Sequence, residues 1–111
     1  DDLEVSASSG SDLTLDVFYK NLKVDTSSGS DANLSGKVKY LTASSSSGSD
    51  LDARNLESVI CKVSVSSGSD ATVNVSEELE ASASSGGDID YYGNPSVKNI
   101  DESSGGDVSH K

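Results

Sequence analysis

Apolar residues fall on every second position along most of this chain, and the pattern restarts about every 19 residues. The restart is marked by Ser-Ser-Gly-(Ser/Gly)-Asp. Its glycines are Gly10, Gly29, Gly48, Gly68, Gly86 and Gly105, at spacings of 19, 19, 20, 18 and 19. Three residues after each glycine stand Leu13, Ala32, Leu51, Ala71, Ile89 and Val108. Five after come Leu15, Leu34, Ala53, Val73, Tyr91 and His110. Five before come Val5, Val24, Ala43, Val63, Ala81 and Ile100. Seven before come Leu3, Leu22, Leu41, Cys61, Leu79 and Lys98. A period of two is strand periodicity. No helical period competes: Ser76-Glu77-Glu78-Leu79-Glu80 would make one helical turn, but Val73, Val75, Leu79, Ala81 and Ala83 fit the strand register better.

A 19-residue unit predicts two runs of about five to seven residues and two turns. It cannot bury an apolar face alone, so the units must stack, each pairing its backbone with the next about 4.8 Å away. The fold class predicted is all-β: a single-stranded parallel β-helix of six coils, one domain over 1–111, roughly 28 Å along its axis by that spacing. The last coil drifts polar at Lys98, Glu102 and His110, as a covering end would.

The serines beside each glycine, such as Ser9 with Ser11 and Ser28 with Ser30, share the apolar parity and predict a Ser-lined corner. Their hydroxyls would bond to one another and to carbonyls at the bend, with Gly permitting the backbone angles. The opposite corner varies: Phe18-Tyr19-Lys20-Asn21, Gly36-Lys37, Arg54-Asn55, Ser76-Glu77-Glu78 and Gly93-Asn94-Pro95. Loops absorb changes in spacing, so this edge is read either as simple turns or as a specificity surface.

Composition matters in three ways. With 32% hydrophobic residues, no Trp and no Met, the chain resembles a flexible linker by composition alone, and only the repeat overrides that reading. Its net charge of −11 argues against nucleic acid and anionic membranes, and no 18-residue apolar run exists to span a bilayer. The lone Cys61, among Val59, Ile60, Val63 and Val65, reads as a small buried side chain and precludes an intrachain disulfide.

The acid two residues after each glycine is invariant: Asp12, Asp31, Asp50, Asp70, Asp88 and Asp107. Such charges 4.8 Å apart repel by roughly 0.9 kcal/mol at the dielectric of water. Either bonds from the carboxylates to nearby backbone and Ser hydroxyls, or bridging calcium, would offset this. Bonding to the turn is the expected arrangement, with no cofactor required. Tyr19, Tyr40, Tyr91 and Tyr92 are candidate glycan-contact aromatics. Catalysis has little support, with His110 as the only His and Arg54 as the only Arg, the latter close in sequence to Asp50 and Asp52.

The stretches Ser49–Leu56, Val63–Ala71 and Ile89–Pro95, with the Tyr-x-Gly-Asn-Pro turn and the final glycine motif, resemble the C-terminal coils of the auto-transporter adhesin head GIN domain family. Residues 1–48 match more loosely through the Gly10 and Gly29 motifs. The resemblance implies a right-handed β-helix and a bacterial extracytoplasmic protein, on the cell surface, in the periplasm or secreted. It implies a non-catalytic adhesin-like or scaffold module that meets a cell-surface protein or polysaccharide. The rival reading is a polysaccharide-binding or polysaccharide-lyase-like β-helix. The family carries further strands before such an array, so the domain is expected to be truncated at its N-terminal end. Leu3, Val5 and Ala7, with only Asp1, Asp2 and Glu4 as charges, would then leave an edge open to pairing as a homo-oligomer, whereas Lys98, Glu102, His110 and Lys111 would blunt the other end.

Overall fold

The computed structural model describes residues 2–110; the end charges of Asp1 and Lys111 lie outside the described residues. Eight strands form one all-parallel sheet: β1 (Asp2–Ala7), β2 (Asp12–Thr26), β3 (Asp31–Ser45), β4 (Asp50–Val65), β5 (Asp70–Ala83), β6 (Asp88–Tyr92), β7 (Val97–Glu102) and β8 (Asp107–His110). Each of β2 to β5 is one full coil that lies on the coil before it. In the next coil, β6 and β7 both pair with β5, and β8 follows β6. This is the predicted β-solenoid.

The predicted columns are the observed register. Leu13, Ala32, Leu51, Ala71, Ile89 and Val108 pair in succession. So do Leu3, Leu22, Leu41, Cys61, Leu79 and Lys98. In the middle coils these side chains are almost wholly buried. The interior is narrow, so Ala, Val and Leu from facing arms fill most of it, with the Tyr91 ring the bulkiest side chain buried there. Burying each Leu stabilises the fold by roughly 1.5–3 kcal/mol relative to leaving it exposed, and a coil of this size achieves it by stacking on its neighbours.

The Ser-Ser-Gly corner is a four-residue turn. In the first, Ser11 N–H donates to Ser8 O at 3.3 Å, and its two central residues have positive φ, +56° at Ser9 and +78° at Gly10. Two successive left-handed residues define the type I′ turn. Gly takes that conformation freely; Ser at the first position is strained by roughly 1–2 kcal/mol. Pairing between coils continues through the turn: Gly10 N–H donates to Ser28 O at 3.1 Å and Asp31 N–H to Ser11 O at 2.9 Å, a pattern repeated up the stack.

Two expectations about the corners need correction. The serine before each glycine points outward at the turn apex and is exposed; only the one after it reaches the interior, at Ser30, Ser49 and Ser69. The left-handed pair of residues swings the first side chain out, which simple alternation does not foresee. The second corner is not a turn in β2 to β5, whose strands bend through it while remaining paired. It breaks into a loop at residues 93–96, between β6 and β7. Spacing changes do accumulate there, as expected. The register shifts at Asn33/Ser35, Ala53/Glu57 and Ser58/Ile60 absorb the 20- and 18-residue intervals as bulges.

In β7 every residue is exposed, including Lys98, Ile100 and Glu102 at inward positions. Glu102 Oε2 accepts the Val108 N–H at 2.7 Å, and the His110 ring stacks on Tyr91 at 4.7 Å between centroids. The polar drift of the last coil thus supplies local partners.

Candidate functional site

The six aspartates form the outward column foreseen, each directly over the last from Asp12 to Asp107, and all six are exposed. Their bonding differs from expectation. Among the described residues, none of these carboxylates bonds to the turn backbone or to a Ser hydroxyl. The turn already satisfies its own donors through the coil-to-coil bonds, so nothing is left for the carboxylates to cap. The cost falls on Asp70. Partial burial raises its carboxyl above the ordinary value, the charges of Asp88 and Asp90 raise it further, and a hydrogen bond with Asp50 opposes them. Among the described residues no group of three or more His, Cys, Asp or Glu is placed to hold a metal ion.

The four tyrosines do not converge. Tyr91 is a core residue, 5% exposed and covered by His110, whose Nε2 donates to Gly93 O at 2.7 Å. It offers no ring face to a ligand. Tyr92 is half-buried, 6.0 Å from the Arg54 guanidinium. Tyr40 lines a shallow depression with Asp2, Asn21 and Lys23. Tyr19 lines a different and larger one. The parity of a strand separates them: Tyr91 shares the inward column of Val73, which aromatic identity alone does not reveal.

Arg54 is committed. Its backbone N–H donates to Asp52 Oδ1 at 3.1 Å, and its guanidinium lies 3.5 Å from Asp52 Oδ2. Asp50 lies on the same outward face two residues earlier. Cys61 is buried between Leu41 and Leu79, as expected, and burial pushes its thiol up to about 12, with a side-chain hydrogen bond with Ser58 opposing.

A concave surface lies on the bent corner. It is a groove of about 430 Å3 that crosses β2 to β5, with Tyr19 at one end. Val38 and Val59 supply apolar surface; Lys37, Lys39, Glu57, Asn74 and Ser76 supply polar groups. Lys37 Nζ and Glu57 Oε2 are 3.6 Å apart. Ser58 Oγ donates to Asn74 O at 2.7 Å and Asn74 Nδ2 to Arg54 O at 3.3 Å, bonds that hold the bulged segment in place. Sequence reasoning reached Tyr19, Lys37 and Ser76 here but missed Lys39, Glu57 and Asn74. Aligning the corner segments by coil would have exposed the lysines, but the bulges displace Glu57 and Asn74 from their simple offsets.

Comparison with known proteins agrees with this architecture. Residues 1–95 match the family described as "Putative auto-transporter adhesin, head GIN domain". The match takes in the first two coils, which resembled the family only loosely by eye, and stops short of the last glycine motif. The crystal structure of a putative adhesin from Bacteroides fragilis superimposes with a TM-score of 0.73 at 23% identity, over 97% of this chain. The chain spans 56% of that protein's length. Curated proteins gave no match.

Proposed function

This chain belongs to the head GIN domain family of auto-transporter adhesins, and we propose that it is a non-catalytic, adhesin-like module displayed outside the cytoplasm of a bacterium, on the surface or secreted. Family membership is the observation that carries this reading. The fold suits the task, because the coils hydrogen-bond to one another through the Ser-Ser-Gly corner and along their strands, and the stack forms a stiff support. A support of this kind tolerates variation at the bent corner, where the register shifts lie, while the Ser-Ser-Gly turns stay constant.

The test is adhesion itself. Beads coated with the protein should adhere to cells or to immobilised polysaccharide above albumin-coated beads, and protease applied to intact producing bacteria should remove it. Protection from protease until lysis, with no bead adhesion, would end the reading. The polysaccharide-binding reading is favoured by the corner groove, which joins an aromatic side chain to charged ones. A lyase is disfavoured, because Arg54 is paired with Asp52 on an exposed face. Incubation with polygalacturonate and calcium should release no unsaturated product.

A further inference from the structure

We propose that the corner groove binds an acidic polysaccharide, one whose residues carry uronate or sialate carboxylates. This rests on the polysaccharide-binding form of the adhesion reading and adds a site and a ligand chemistry. The volume, about 430 Å3, falls in the range of small-ligand sites, roughly 300–1,000 Å3. It is an open groove that runs across the strands, so a polymer can enter at one side and leave at the other.

Charge selects the occupant. The chain has 19 acidic and 8 basic residues, yet the groove lining holds two lysines, Lys37 and Lys39, against the single Glu57. An anionic polymer is repelled by most of this surface and accepted here. Among the described residues Lys37 is held by an exposed pair with Glu57, worth at most about 1 kcal/mol, which a ligand carboxylate can replace. Lys39 Nζ sits 5.3 Å from the centroid of the Tyr40 ring, also at the surface.

Aromatic exposure points the same way. Phe18 is 70% exposed and pairs in register with Lys37; Tyr19 beside it is 38% exposed. The chain's one Phe is thus left in water next to the groove, where its face can stack on the C–H face of a sugar ring and lose that exposure. A peptide is a poorer fit. β4, which crosses the groove, has β3 on one side and β5 on the other, so it is not an edge strand to which a peptide could add.

The experiment is surface plasmon resonance with the 111-residue chain over immobilised polygalacturonate, polysialic acid, neutral dextran and poly-glutamate. We expect binding to at least one of the two acidic polysaccharides, weakening as salt rises, and little to dextran or poly-glutamate. Whichever acidic polymer binds identifies the carboxylate source. The double substitution Lys37→Gln/Lys39→Gln, and separately Tyr19→Ala, should each weaken binding at least about tenfold, equivalent to about 1.4 kcal/mol. Asp12→Asn, on the other corner, should not weaken it, and circular dichroism should show all variants folded. No binding to either acidic polymer, equal binding to dextran or poly-glutamate, or binding indifferent to the lysine substitutions overturns the proposal. Coated beads that adhere while no acidic polysaccharide binds would remove the groove and leave the adhesin reading standing. Polysaccharide binding without bead adhesion to cells would leave the groove standing and remove the adhesin reading.

Discussion

Val65 and Gly87 share one space: a Cβ added at Gly87 would stand 2.8 Å from Val65 Cγ2 and 3.1 Å from the Val65 carbonyl carbon. Thr26 and Ser45 precede Val65 in its inward column, and Ser30, Ser49 and Ser69 precede Gly87 in the neighbouring one. Where the first column turns from hydroxyl to isopropyl, the second gives up its side chain one coil later. Gly87→Ser should therefore lower stability in urea unfolding by about 1–3 kcal/mol, the usual effect of overpacking. In a Val65→Ser background the same change should cost about 1 kcal/mol less. Equal effects in both backgrounds would mean that the two positions do not compete.

Ser49 and Ser69 occupy equivalent positions with opposite expectations. Ser49 Oγ lies 2.8 Å from Ser45 Oγ, donates to Ser46 O at 2.8 Å, and meets Thr26 Oγ1 at 3.2 Å. Ser69 Oγ is buried with no hydrogen-bond partner among the described residues, and Val65 stands where Ser45 stood. Ser49→Ala should cost about 1–3 kcal/mol, since it leaves buried partners unmet. Ser69→Ala should be neutral or stabilising. Thermal melts of the two variants that move in the same direction by the same amount would contradict the assignment.

Much of this was readable in the sequence because a solenoid repeats its instructions. The offset from each glycine places Leu41, Cys61 and Leu79 in one column without further information, and six turns repeat the test. Three things were not readable. The first serine of each motif turns out because of a backbone handedness that polarity does not encode. The bent corner keeps its pairing because bulges absorb the odd residues, which makes Glu57 rather than Leu56, at the same offset from its glycine, the partner of Lys37. The aspartates form a column whose carboxylates the turn does not engage, because the main chain satisfies itself from one coil to the next.

Asp70 carries that last consequence into pH. Its carboxyl binds a proton more tightly in the folded chain than in the unfolded one, where the ordinary value is 3.8. A folded value above the unfolded one means that stability falls as pH rises through the interval between them. Asp70→Asn should thus match the parent protein at pH 3 and exceed it at pH 7, by a small margin because the carboxyl is largely exposed to screening solvent. A gap in chemical-denaturation midpoints that is constant with pH, or reversed in sign, would show that the column is not under strain at Asp70.

Cys61 should be inert. A thiol pushed up to about 12 and buried between two leucine rows offers almost no thiolate at pH 8. Ellman's reagent should leave it unmodified in the native protein and react with one equivalent in concentrated urea. Prompt native labelling would place the side chain at the surface and break the inward column.

The coil register determines which residues make the aspartate column and which make the corner groove, so the most direct measurement is of the register itself. Because native Cys61 should stay unlabelled, spin labels can be placed at Asp12→Cys paired in turn with Asp70→Cys, Asp88→Cys and Asp107→Cys. These positions lie three, four and five coils from Asp12. Electron–electron distance measurements should give separations that lengthen by about 4.8 Å from each pair to the next. Distances that fail to grow by a constant step, or that shrink for Asp107, would contradict the stacked coil and every site placed upon it.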